Sequence, residues 1–257
     1  MTARSVPAVP RPTLRELLAE GPFGLTMSSG FFGFFAHTGM LTALLDAGLV
    51  PSRITGSSAG ALVGGLWAAG LEPPAAREAL EGLTREAFWD PAPGLGVLRG
   101  KKFRGLLEGL LPRPGFRQTR VPMGISVYDF LARKTVVIDE GDLAPAIQAS
   151  CAVPFMFHPV RIGRRLYVDG GVADRPGLAG MPAGARVLYH HLASRSPWRS
   201  TASMGIPRRA GMVSLAIHGL PRPHPFDLSP GRSAIDVAYA RTREALSRPV
   251  EDGALHV

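Results

Sequence analysis

Ile54-Thr55-Gly56-Ser57-Ser58-Ala59-Gly60-Ala61-Leu62 is the stretch on which the reading of this chain turns. It holds Gly-x-Ser-x-Gly with Ser58 at the centre. Before it lies a short apolar run from Arg53 to Gly56, and after it a small-residue run from Ala59 to Ala69 that Gly70 closes. A serine on a tight strand-to-helix turn stands clear of its neighbours with its hydroxyl exposed. Such a turn admits only small residues two positions to either side, which is the place of Gly56 and Gly60. The helix that follows aims its N-terminal dipole at the reacting centre and favours a developing oxyanion there. A bare Gly-x-Ser-x-Gly also arises by chance in a chain with 31 glycines, so the strand and helix around it carry the argument. Ser58 is read as a candidate nucleophile on an α/β scaffold.

The same alternation continues outward in both directions. Thr13 and Glu16 have the spacing of a capping box for a short helix through Glu20. Phe23 to Met27 reads as a strand, followed by the small-residue loop Ser28-Ser29-Gly30. A helix over Phe34 to Ala47 carries Met40, Leu41, Leu44 and Leu45 on one stripe. Further helices are expected over Pro73 to Leu83, Phe103 to Leu111, Ala144 to Ser150 and Ser233 to Leu246. Strands are expected over Met123 to Phe130 and Lys134 to Ile138, joined by a tight turn. Others are expected over Arg165 to Asp169, Arg186 to His191 and Met212 to Ile217. Residues 91–96, 195–210 and 219–232 read as loops rich in Pro, Gly, Ser or Arg. Helices alternating with short apolar strands imply an α/β fold with a mainly parallel sheet. The division expected is a tail and short helix over 1–20 and a single domain over 21–257.

Bulk properties narrow the function classes. With 257 residues, 46% of them hydrophobic, the chain can bury a sizeable core and is unlike a disordered segment. Its net charge of +9 comes mostly from arginine; Lys101, Lys102 and Lys134 are the only lysines. The charge favours acidic partners, such as anionic lipid surfaces or phosphate-bearing substrates. No zinc finger, RNP motif or basic zipper is present, so no nucleic acid is expected. The short cluster Arg99, Lys101, Lys102 and Arg104 suits anionic head groups, although a solvated helix start is the plainer reading. A lone Cys151 excludes an internal disulfide and fits a reduced compartment. No stretch reaches the roughly 18 apolar residues of a spanning helix. The expectation is a cytoplasmic protein with peripheral contact to an anionic membrane, and with no metal or cofactor.

A serine nucleophile needs a base. The histidines are 37, 158, 190, 191, 218, 224 and 256. In a Ser-His-Asp esterase the histidine follows late in the chain, where His218 and His224 stand, neither within a supporting motif. His37, just past the first loop, reads as a packed helix residue, and Cys151 as a buried thiol. Leu166-Tyr167-Val168-Asp169-Gly170-Gly171 offers a different partner. It puts a carboxylate at the end of an apolar strand, before two glycines that permit close approach. A plain Asp-Gly turn has the same letters. A carboxylate can act as base to a serine where burial raises its pKa and the side chains touch.

Taken together, the segments resemble the patatin-like phospholipases. Three carry the resemblance, in order. The first is Ser28-Ser29-Gly30-Phe31-Phe32-Gly33 with Ala36-His37-Thr38-Gly39-Met40-Leu41, which looks like the family's glycine-rich oxyanion loop and the helix behind it. The second is Gly56-Ser57-Ser58-Ala59-Gly60. The third is Ala149-Ser150-Cys151-Ala152-Val153-Pro154 followed by Tyr167-Val168-Asp169-Gly170-Gly171. The resemblance spans roughly residues 22–192. It implies a three-layer patatin-like fold with a mainly parallel central sheet flanked by helices. It also implies a Ser58–Asp169 dyad without metal, an acyl-enzyme on Ser58, and an oxyanion hole from the amides of Ser28, Ser29, Gly30 and Phe31. The substrate implied is an acyl ester of a lipid.

The chain departs from the family pattern in one place. Where the family has three glycines, a variable residue, a basic residue and a glycine, this chain has Ser28, Ser29, Gly30, Phe31, Phe32 and Gly33. Main-chain amides survive a glycine-to-serine change, but serine disfavours a positive φ. Phe31, Phe32, Phe34 and Phe35 place an apolar cluster beside the expected site, as core packing or as an acyl-chain or membrane contact. The departure keeps open a non-catalytic patatin-like scaffold that binds lipid or protein.

Overall fold

A computed structural model describes residues 11–193 and 205–257. The expected tail over 1–10 and part of the expected loop at 195–210 lie outside the described residues. The strands are β1 (Gly24–Met27), β2 (Arg53–Ser57), β3 (Gly96–Leu98), β4 (Met123–Asp129), β5 (Lys134–Ile138) and β6 (Phe155–Phe157). They continue with β7 (Val160–Ile162), β8 (Arg165–Asp169), β9 (Val187–Leu192), β10 (Met212–Ile217) and β11 (Ala254–His256). The helices are α1 (Leu14–Ala19), α2 (Phe34–Asp46), α3 (Ala59–Ala68), α4 (Pro73–Glu81), α5 (Lys101–Leu110), α6 (Leu143–Ser150) and α7 (Pro230–Leu246).

Among the described residues nine strands form a central sheet flanked by helices, in the order β11-β10-β9-β1-β2-β4-β8-β7, with β5 also on β4. From β11 to β4 every pairing is parallel; β5, β7 and β8 add antiparallel ones. Each residue of β1, β9 and β10 is buried. Parallel strands covered on both faces read as continuous apolar runs, which is why these were legible without alternation. Helix α3 is buried along its whole length, matching its small residues. Thr13 and Glu16 form the expected capping box on α1.

Four strands were not anticipated: β3, β6, β7 and β11. Each has three residues, too few to show a period. Helix α7 begins at Pro230, ahead of the expected Ser233, because proline is suited to the first helical turn.

The pairing around β4 positions the site. Residues 125–129 of β4 pair with β5 on one edge. On the opposite edge β4 pairs first with β2, where Ser57 stands against Ser126, and then with β8, where Asp169 stands against Val127. Strands β2 and β8 run in opposite senses, so their C-terminal ends meet along a shared edge. Ser57 and Asp169 face consecutive residues of β4, and Ser58 follows immediately.

Candidate active site

Ser58 has φ 52° and ψ −116°, a conformation that L-residues rarely hold. Such a backbone costs about 1–3 kcal/mol and persists only where its surroundings fix it. The flanking glycines explain part of the fixing. A Cβ on Gly56 would stand 2.5 Å from the Gly60 carbonyl carbon, and one on Gly60 would stand 2.1 Å from the Met27 carbonyl oxygen. The turn therefore presses α3 against both β2 and β1. A clamp does the rest. The Ser58 amide donates to Ser150 Oγ (2.8 Å), and that hydroxyl donates to the Ser126 carbonyl (2.7 Å). Ser150 is fully buried at the end of α6. Nothing in the sequence around Ser150, within the third family segment, marks this role, because its partners lie 92 and 24 residues away.

Asp169 ends β8, buried at 4% exposure. Its amide donates to the Ala152 carbonyl (2.9 Å), and its Oδ1 accepts from the Gly171 amide (2.7 Å). Cys151 lies between the two candidate residues. Burial and the Asp169 charge push its thiol well above the usual range, while a hydrogen bond with Ser58 pulls the other way. These effects together favour the neutral thiol; Cys151, expected to be buried, is half-buried and lines the cleft beside Ser58.

The loop after β1 divides in two. The Ser28 amide donates to the His190 carbonyl (3.2 Å), and the Ser29 amide to the Arg175 carbonyl (2.7 Å). Both are therefore engaged and not free for an oxyanion. The amides of Gly30 and Phe31 have no acceptor among the described residues. Neither serine has a positive φ; Phe32 alone in the loop does, at 54°. The serines are thus accommodated without strain, and Ser28 Oγ accepts from the Leu192 amide (3.0 Å).

Behind this loop lies a buried histidine pair. His37 Nε2 donates to the Ser28 carbonyl (2.8 Å), since a carbonyl can only accept. His37 Nδ1 then accepts from His190 Nδ1–H (2.8 Å). Burial holds His37 down to about 4 and His190 well below the usual histidine range. The histidines expected for a Ser-His-Asp triad lie elsewhere. His218 Nε2 is bonded to His256 Nδ1 (3.0 Å), beyond the end of β10. That strand is three spacings, roughly 14 Å, from β2. The His224 ring accepts from the Phe226 amide on an exposed loop. Among the described residues no group of His, Cys, Asp and Glu could hold a metal.

Ser58 opens into a cleft. Phe31, Phe32 and Phe34 form one wall, α3 and α4 line the depth with Leu62, Leu66 and Leu80, and α5 closes it with Phe103 and Leu107. Among the described residues no charged side chain lines it. Phe35 turns away and packs with Leu80, Ala234 and Ile235. Of the basic cluster, Arg99, Lys101 and Lys102 are exposed around the start of α5, and Arg104 is half-buried.

Comparison with known proteins gives this arrangement a family. An uncharacterized NTE family protein of Mycobacterium tuberculosis, Rv1063c, is 34% identical over 154 residues, covering 58% of this chain and 42% of its own length. A second from that organism, Rv2565, is 28% identical over 173 residues, covering 63% and 28%. The chain thus spans less than half the length of these relatives. Among solved structures, VipD from Legionella pneumophila superposes with a TM-score of 0.62 at 15% identity, over 88% of this chain and 66% of that one, a likeness of fold. A family model described as Patatin-like phospholipase matches residues 25–180, from β1 past the end of β8. That span exceeds half the chain and takes in the Ser58 turn, the loop before it and the end of β8: the chain belongs to the patatin-like phospholipase family.

Proposed function

We propose that the chain is a serine lipid acyl-hydrolase with Ser58 as nucleophile and Asp169 as its base. The observation that carries this reading is a strained serine opening into an apolar cleft lined by uncharged side chains. A cleft lined without charge suits a hydrocarbon chain. The head group then stays at the mouth, with the ester carbonyl at Ser58.

In this mechanism Ser58 Oγ attacks the acyl carbonyl while its proton passes to the Asp169 carboxylate. The tetrahedral oxyanion accepts from the Gly30 and Phe31 amides, aided by the N-terminus of α3. Collapse breaks the ester C–O bond, and the departing alcohol takes the proton from Asp169. Water then attacks the acyl-enzyme and gives its proton to Asp169. The fatty acid leaves as Ser58 recovers its own. Burial of Asp169 at the end of β8, which meets the end of β2 along β4, supports its role as the base to Ser58. A helical N-terminus and two free amides meet the developing charge without the basic residue that the family usually places in the loop.

The test is hydrolysis of p-nitrophenyl esters of increasing chain length by the wild type, Ser58→Ala and Asp169→Asn. Each variant is expected to lose about 10³-fold or more in kcat/KM while keeping its thermal midpoint. Full activity in either folded variant overturns the dyad.

A further inference from the structure

The cleft mouth carries more exposed apolar surface than a soluble face needs. Phe155 is 86% exposed, Leu95 67% and Val97 54%. The β3–β6 pairing sets Phe155 beside Gly96, the residue between Leu95 and Val97, so one small two-stranded sheet carries all three exposed side chains in a patch of apolar residues. Val153, Met156 and Phe157, the neighbours of Phe155 in the chain, line the cleft itself. The patch is therefore the outer lip of the site.

Phe155 is also held outward against its own preferences. Its φ is 65°, a left-handed conformation that bulky residues avoid. Water exposure and backbone strain both disfavour this placement, and an observed outlier beside a site invites a functional reading.

A second element extends the lip. Trp89 follows Phe88, a cleft residue, and packs on Phe226, which is 72% exposed. The Arg85 guanidinium lies over both rings, at 5.4 and 5.7 Å. The Asp90 carbonyl accepts from the Arg99 amide, tying this element to the end of β3. Exposed Arg99 and Lys101 lie two and four residues after Val97; Asp90 and Glu86 are acids near them, and Asp227 follows Phe226. Aromatic rings beside cations, surrounding an uncharged channel, match the depth profile of a lipid interface: apolar inward, amphipathic at the boundary, cationic toward head groups.

We propose that Phe155, Leu95 and Val97, flanked by Trp89, Phe226 and these cations, dock the cleft mouth onto an anionic phospholipid surface. A lipid leaving that surface would pass its acyl chain into the cleft without crossing water. The inference rests on the proposed reaction for the meaning of the cleft, so docking is measured in Ser58→Ala, where turnover plays no part.

The experiment is co-sedimentation of full-length Ser58→Ala with large vesicles of phosphatidylcholine, with or without a quarter phosphatidylglycerol. Binding to the anionic vesicles is expected, weakening as salt rises. Adding Phe155→Ser and Leu95→Ser should lower the vesicle partition coefficient at least about tenfold. In the chain with Ser58 intact, the same two changes should leave hydrolysis of a soluble short-chain ester within about twofold and the thermal midpoint in place, which excludes misfolding. Undiminished binding by the lip variant overturns the proposal, as does absence of parent binding to either vesicle. Failed hydrolysis with intact vesicle binding overturns the proposed reaction and leaves the docking surface standing.

Discussion

Ser150→Ala isolates the clamp that holds the candidate nucleophile in its turn. The Ser150 hydroxyl makes two hydrogen bonds, accepting from the Ser58 amide and donating to the Ser126 carbonyl. Alanine removes both and leaves the Ser58 amide without its acceptor. A buried hydrogen bond contributes about 1 kcal/mol net, and an orphaned donor adds desolvation cost, so the loss should be about 2–3 kcal/mol. For a chain of this size each kcal/mol lowers the melting temperature by about 2–4 °C, giving a drop of roughly 4–12 °C. The effect on reactivity follows from the strain. Ser58 at φ 52° stores about 1–3 kcal/mol, comparable to what the clamp supplies. Without the clamp the turn relaxes in part, and Oγ leaves the line of attack for part of the time. At about 1.4 kcal/mol per decade, labelling of Ser58 by a fluorophosphonate should slow about tenfold to a hundredfold. The assays are thermal melting and the second-order labelling rate. An unchanged melting temperature together with an unchanged labelling rate would refute the clamp.

Two further outcomes follow from the same geometry. Gly60→Ala should be among the most disruptive small changes in the chain, because its Cβ would lie 2.1 Å from the Met27 carbonyl oxygen on β1. A backbone atom cannot yield as a side chain can, so a loss of about 3 kcal/mol or more is expected in urea unfolding, and an unshifted midpoint would contradict the packing. Acid should destabilise the protein through its buried histidines. Burial holds His37 at about 4 against an ordinary value of 6.5, so between these pH values the unfolded chain binds the extra proton. Stability is therefore complete above about pH 6.5 and falls toward pH 4, with His37 alone contributing up to about 1.4 kcal/mol per pH unit. His191, held at about 4 by burial and by Arg175, adds in the same direction. His37→Gln should flatten this dependence in urea unfolding measured from pH 7 to 4.5; an equally steep slope would contradict it.

Much of this architecture was legible because local pattern and tertiary role coincide. The Ser58 turn announces itself through Gly56 and Gly60, whose missing side chains answer to contacts with α3 and β1. The buried parallel strands read as apolar runs because both their faces are covered. Asp169 could be singled out only by its two following glycines; that β8 meets β2 end to end along β4 is a property of pairing, which leaves no trace in either strand's letters. The oxyanion loop shows the same limit. Ser28 and Ser29 stand in the expected positions, yet their amides are engaged by His190 and Arg175, residues more than 140 positions away in the chain. Strands β3 and β6 are too short to show alternation, and the exposed lip they carry looked in the sequence like a Pro/Gly loop and an apolar run.

Activation of Ser58 by Asp169, as proposed above, is best tested by fluorophosphonate labelling of the full chain, with the modified residue mapped by mass spectrometry in the wild type and in Asp169→Asn. A single adduct on Ser58 is expected in the wild type, with a labelling rate at least about a hundredfold lower in Asp169→Asn. An adduct on another residue, no adduct at all, or undiminished labelling of Ser58 in Asp169→Asn would contradict it.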